Sequence, residues 1–101
     1  FHGDLSPGNL LCLNDRLHAV IDFGCLGVGD FAVDLIVAWN LLPSTARQPL
    51  RTMVDVDDAT WERGRGWALS IALIQLPYYE HTNPGLASVA WWTVGEVLAD
   101  R

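Results

Sequence analysis

The hydrophobic pattern of this chain changes character near residue 30, and that change limits what it can fold into. Before it, apolar residues come in two short runs, Leu10-Leu11-Cys12-Leu13 and Leu17 to Phe23, separated by Asn14-Asp15-Arg16. Runs of that length around an Asn-Asp turn read as a β-hairpin. Gly24, Gly27 and Gly29 then mark a loop. After it the spacing is helical, with Leu35, Ala38, Trp39 and Leu42 at i, i+3, i+4 and i+7 and Pro43 closing the segment. Asp57 or Asp58 can cap a long helix reaching residue 76, with Glu62 adding negative charge near its start. Between Trp67 and Leu76 only Ser70 and Gln75 are polar, which predicts a helix covered on most sides. Asn83-Pro84 joins a cap to a proline at the first helical position and opens a final helix ending near Ala99. The reading is a mainly α (α+β) chain, one hairpin followed by three or four helices, without internal repeat or Gly/Ser linker.

Half of the 101 residues are hydrophobic and 18% are charged, too apolar a mixture for a disordered chain. No apolar run reaches the roughly 18 residues that span a bilayer. The first 15 residues carry Asp4, Pro7, Gly8 and Asn9 where a signal peptide would be apolar. The expectation is a cytoplasmic protein with no membrane partner. The formal charge is −6 and every basic residue is Arg, a balance that argues against nucleic acid as a partner. Cys12 and Cys25 have no metal-ligand spacing and are expected to be reduced, buried small hydrophobes. The chain opens on Phe1 rather than Met, with its richest motif starting at His2. An active-site loop is rarely placed at a fraying terminus, so the expectation is the C-terminal part of a longer protein.

That motif is His2-Gly3-Asp4-Leu5-Ser6-Pro7-Gly8-Asn9, followed by Val20-Ile21-Asp22-Phe23-Gly24. Asn9 opens the first strand and Asp22 closes the second, so a tight hairpin brings them side by side at about 5 Å. An amide oxygen and a carboxylate at that separation suit Mg²⁺, a hard ion that takes oxygen ligands and keeps several waters. Asp4, on the loop before Asn9, is free to accept a proton or orient a nucleophile. Each piece alone is an ordinary turn, since Asp and Gly favour turns for backbone reasons. The combination is far more specific: His-x-Asp, five residues to an Asn, and thirteen more to an Asp-Phe-Gly at the end of an apolar strand.

This spacing resembles the catalytic and metal loops of the protein-kinase-like fold. The wording, together with Gly27-Val28-Gly29-Asp30-Phe31-Ala32-Val33-Asp34-Leu35, resembles the aminoglycoside phosphotransferase family and its small-molecule kinase relatives. The likeness is strong over residues 1–39. It implies the C-terminal lobe of that fold: residues 1–29 as catalytic loop, hairpin and metal loop, and residues 30–101 as a helical subdomain. It also implies a catalytic base at Asp4 and an Mg²⁺ held by Asn9 and Asp22 against the phosphates of ATP. His2 would pack and hydrogen-bond within the loop, and Asp34 would accept hydrogen bonds from the loop's backbone. Asp30 would be a cap or turn residue. Gly3 stands where many regulated protein kinases carry Arg, and only seven residues separate Asp22 from Asp30, too few for an activation loop. Phe31 stands where the family usually has Pro.

The function so implied is ATP- and Mg²⁺-dependent transfer of phosphate to a hydroxyl of a small molecule. The acidic balance favours a cationic acceptor such as an aminoglycoside antibiotic, with Trp61, Glu62, Trp67, Tyr78, Tyr79 and Glu80 as candidate acceptor contacts. Transfer in this fold also draws on a strand Lys and a flexible loop over the phosphates. The chain has no Lys, so the N-terminal nucleotide lobe is expected to be absent and these residues alone inactive. The apolar surface left bare would favour self-association. The competing reading is a non-catalytic helical module that retains the motif by descent and works through protein contacts.

Overall fold

The computed structural model describes residues 1–100. A 3₁₀ turn at Pro7–Asn9 leads into β1 (Leu10–Leu13), which pairs antiparallel with β2 (Arg16–Val20). Asn14 and Asp15 form the two-residue turn at φ of 53° and 62°, the doubly left-handed geometry that matches strand twist. Helices α1 (Val37–Asn40), α2 (Ser44–Val54), α3 (Asp58–Tyr79) and α4 (Pro84–Ala99) follow, with a second 3₁₀ segment at Phe31–Ile36 before α1. No helix among the described residues is long and apolar enough to cross a membrane.

The caps are built from the expected residues. Asp57 accepts from the Thr60 amide at 2.7 Å and Asn83 from that of Leu86 at 3.2 Å, satisfying amides with no partner inside the helix. Residues 30–42 do not form one helix. Asp30 caps a 3₁₀ segment through the Ala32 amide, and only Val37–Asn40 is α-helical. Phe31, in the position of the family's usual Pro, still begins that segment. The 11-residue α2 was not anticipated: it has Pro49 in its interior and few apolar residues.

The core lies where the Phe31–Ile36 segment, α1, α3 and α4 meet. Ala32, Leu35, Ala38, Trp39, Trp61 and Val97 are buried there, and Trp39 is completely enclosed. The Trp39 and Trp61 rings pack at 5.0 Å. Gly64 is what lets α3 approach so closely, because a Cβ there would stand 2.7 Å from that of Leu35. Leu42, expected in the same buried face, is only half-buried. Arg47 is buried too. Its Nε donates to the Ala38 carbonyl at 2.7 Å and its Nη2 to Glu96 at 2.6 Å, joining α2 to α1 and α4.

Two expectations fail on burial. Cys12 and Cys25 are free but exposed. The apolar half of α3 is not covered on most sides: Trp67, Leu73 and Ile74 all face outward. Its inner face is made by the small residues Ala68 and Ala72, with Leu69 and Ile71 packed partly buried against the core.

Candidate functional site

The loop His2–Asn9 carries no regular structure beyond one turn, so its shape depends on side chains that satisfy its backbone. Asp34 does most of this. Its Oδ2 accepts from the His2 amide at 2.8 Å and its Oδ1 from the Gly3 amide at 2.9 Å. His2, buried, donates from Nε2 to the Ile21 carbonyl at 2.9 Å while its Nδ1 accepts the Asp4 amide at 3.1 Å. That pair of partners selects the Nε2–H tautomer, a ring used for positioning on both sides. Its ring packs against that of Phe23 in a T-shaped contact, with centroids 4.7 Å apart. Gly3 lies at φ +90°, and a Cβ there would come within 2.6 Å of the Cys25 carbonyl. Only glycine fits that contact. Asn40 completes the frame, donating from Nδ2 to the Leu5 carbonyl at 2.8 Å.

Asn9 turns its amide nitrogen inward. Nδ2 donates to the Asp4 carbonyl at 3.0 Å and to Asp4 Oδ2 at 3.1 Å, which orients the Asp4 carboxylate and leaves the amide oxygen as the end able to meet a cation. Asp22 follows β2 at φ +60°, a left-handed conformation that Asp tolerates better than most residues. This ends the strand at Val20 rather than Phe23. Asn9 and Asp22 are also not directly opposed as expected: the Ile21 amide donates to the Asn9 carbonyl at 2.9 Å, and Asp22 comes one residue later. The register shifts by one between Leu11 and Cys12, leaving His18 as the extra residue. Without that bulge Asn9 would face Val20, and Asp22 would lie a further residue away.

Asp4, Asn9 and Asp22 line one cavity of about 280 Å³. It is lined as well by the Ser6-Pro7-Gly8 turn and by a helical wall of Gln75 and Tyr79 from α3 with Leu86 and Val89 from α4. Among the described residues no group of three or more His, Cys, Asp or Glu side chains is placed to hold a metal ion. The donors present are one amide oxygen and one carboxylate, with Asp4 beside them. That set is too sparse for an all-protein cage and fits Mg²⁺, which takes one or two carboxylates and fills its remaining positions with water and phosphate oxygens.

Of the six residues considered for acceptor contact, Tyr79 alone lines this cavity. Trp61 is a core residue, 3% exposed. Trp67 borders a different hollow with Phe1, Gly3 and Cys25. Glu62, Tyr78 and Glu80 are exposed elsewhere on α3 and its end. Gln75, Leu86 and Val89 were missed. Gln75 had a signal, being a polar residue in an apolar stretch one helical turn before Tyr79, whereas Leu86 and Val89 look like any core residue of α4. Asp30, on the opposite side of the loop, is held below the usual carboxylate range, first by its hydrogen bond from Arg63 and then by the Ala32 amide.

The model of the phosphotransferase enzyme family matches residues 1–67. This chain belongs to that family. The matched stretch carries the loop, the hairpin, Asp22 and Asp34, and it ends inside α3 before Gln75. Comparisons with curated proteins and with solved structures returned no match.

Proposed function

We propose that these residues form the metal-holding and acceptor-facing part of an ATP- and Mg²⁺-dependent enzyme that phosphorylates a hydroxyl of a small molecule. The observation that carries this reading is the convergence of Asp4, Asn9 and Asp22 on one cavity. The Asp4 carboxylate, oriented by Asn9 Nδ2, accepts the proton of the acceptor hydroxyl. The hydroxyl oxygen forms its new bond to the γ-phosphorus as the bond to the departing ADP oxygen breaks. Asn9 Oδ1 and the Asp22 carboxylate would hold Mg²⁺, which would supply neutralisation of the phosphate charge. His2 and Asp34 position the loop and touch neither reactant.

Positioning and charge neutralisation supply most of the acceleration in such reactions. These 101 residues contain no Lys, so the amine that pairs with the α/β-phosphates has to come from outside them. The residues alone are expected to transfer no measurable phosphate. In the natural protein that contains them, Asp4→Asn should lower kcat by about 10²–10⁴-fold, the usual worth of a general base. The KM for ATP should change little, because Asp4 is not a proposed metal ligand. An Asp4→Asn enzyme with an unchanged rate would overturn the assignment.

A further inference from the structure

Resting on that reading, we infer the class of the acceptor: an uncharged, hydroxyl-bearing molecule with an apolar flank, not a polycation. The part of the cavity contributed by α3 and α4 is made by Gln75, Tyr79, Leu86 and Val89. All four lie beyond residue 67, outside the stretch that the family model matches. This wall contains an amide, a phenol and two aliphatic side chains, and no charge. The carboxylates of the cavity are Asp4 and Asp22 alone, and the reaction uses both. Ammonium groups on an acceptor would therefore be desolvated against a neutral wall, which is costly without an ionic partner. The net charge of −6 belongs to the chain as a whole and does not extend to this wall.

A second hollow gives the apolar flank its place. It lies between the end of α1 and α4, has a volume of about 410 Å³, and is lined by Asn40, Leu41, Ser88 and Trp92 together with Pro7 and Val89. Pro7 and Val89 border both hollows, so a ligand whose hydroxyl faces Asp4 can continue over Val89 towards Trp92. The Trp92 side chain is 41% exposed and offers an aromatic surface there. Asn40 also lines this hollow, with its Nδ2 held by the Leu5 carbonyl. Gln75 and Tyr79, one helical turn apart on α3, supply neutral hydrogen-bonding groups for the remaining hydroxyls.

The test is a two-dimensional NMR titration of the 101-residue chain with two probes of similar size and no nucleotide present. One is phenyl β-glucoside, uncharged with one apolar face; the other is an aminocyclitol carrying several ammonium groups. The glucoside should shift the Tyr79 and Trp92 signals saturably, with the polycation leaving them unmoved at equal concentration. Trp92→Ala should weaken glucoside binding about fivefold to tenfold, the usual worth of an aromatic contact. Gln75→Ala, at a half-buried site, should weaken it without touching the groove. The inference is overturned if the polycation moves Tyr79 and Trp92 more strongly. It is equally overturned if the glucoside moves only Leu13 and Leu17 on the hairpin, or moves nothing up to about 10 mM. The phosphotransfer reading is tested apart from this, by Asp4→Asn in the natural protein: an unchanged rate there beside intact glucoside binding would refute that reading, whereas a lowered rate with no glucoside response would refute the acceptor class alone.

Discussion

Asp34 lies within the 3₁₀ segment, outside the cavity, yet its two oxygens hold the amides of His2 and Gly3 at 2.8 and 2.9 Å. Asp34→Ala leaves both amides unmet in a partly buried loop, where each such group costs of order 1–3 kcal/mol. We expect a loss of about 2–3 kcal/mol in thermal or urea unfolding, with Asp34→Asn losing roughly half of that because one acceptor remains. A loss below about 0.5 kcal/mol for the Ala variant would show that water replaces the carboxylate readily. Asp30 makes a pH-dependent contribution of opposite exposure. Its folded pKa is depressed, mainly by Arg63 and then by the Ala32 amide, so its stabilisation is present above the unfolded value near 4 and is lost as pH falls through the folded one. The gap in melting temperature between the parent and Asp30→Asn should therefore be open at pH 7 and narrow steadily below about pH 4. A gap that stays constant to pH 2.5 would remove Asp30 from the acid response. Residues such as these show the limit of spacing alone. Asp57 and Asn83 were legible as caps because capping is a local act of one side chain on amides two or three residues on. Tyr79 and Trp61 were not distinguishable, because both are aromatic residues on one helix and only the packing of Trp39 decides which is core.

The elements divide in the same way. The hairpin and the two long helices are local structures, and turn, cap and periodicity announce them. The bulge at His18 has no signature in the sequence, since it follows from how two arms of unequal length pair from a fixed turn, and it sets where Asp22 stands relative to Asn9. Helix α2 is the other gap: with Pro49 inside it and little apolar surface, it has weak propensity and is held by Arg47. That guanidinium reaches the Ala38 carbonyl, one of the acceptors α1 leaves unpaired at its C-terminal end, and Glu96 on α4. Removing one partner of a buried ion pair commonly costs 3–5 kcal/mol. The Glu96 side chain is 24% exposed, so water recovers part of that, and Arg47→Ala is expected to cost about 2–4 kcal/mol. Glu96→Gln, which keeps an acceptor, should cost clearly less in the same unfolding experiment. Equal losses would mean that the packing of the Arg stem, not its charge, ties α2 down.

At the scale of the whole molecule apolar side chains are exposed on several elements outside the inner core, Trp91, Trp92 and Leu98 on α4 among them, and two regions bear on association. One comprises Leu11, Leu13 and Leu17 on the hairpin with Phe23 and Leu26 on the following loop; the other comprises Leu73, Ile74 and Tyr78 on α3. Val28 is fully exposed between the Gly residues of the loop. Contiguous apolar patches beyond a few hundred Å² are uncommon on monomers and promote association. Among the described residues no third strand joins the hairpin, so its unpaired backbone edges add to that surface. We expect the 101-residue chain to sediment as a concentration-dependent mixture of monomer and larger species, with the hairpin as the contact. Leu13→Glu with Leu17→Lys changes two exposed side chains, 56% and 62% accessible, that contribute nothing to the core. The double variant should fold with the parent's helical content and shift towards monomer, because charges on exposed strands oppose edge-to-edge pairing. Persistence of the parent's association in that variant would move the contact to α3, where Ile74→Lys tests it next. A parent that remains monomeric across the concentration range would show that these patches are too small or too dispersed to drive association.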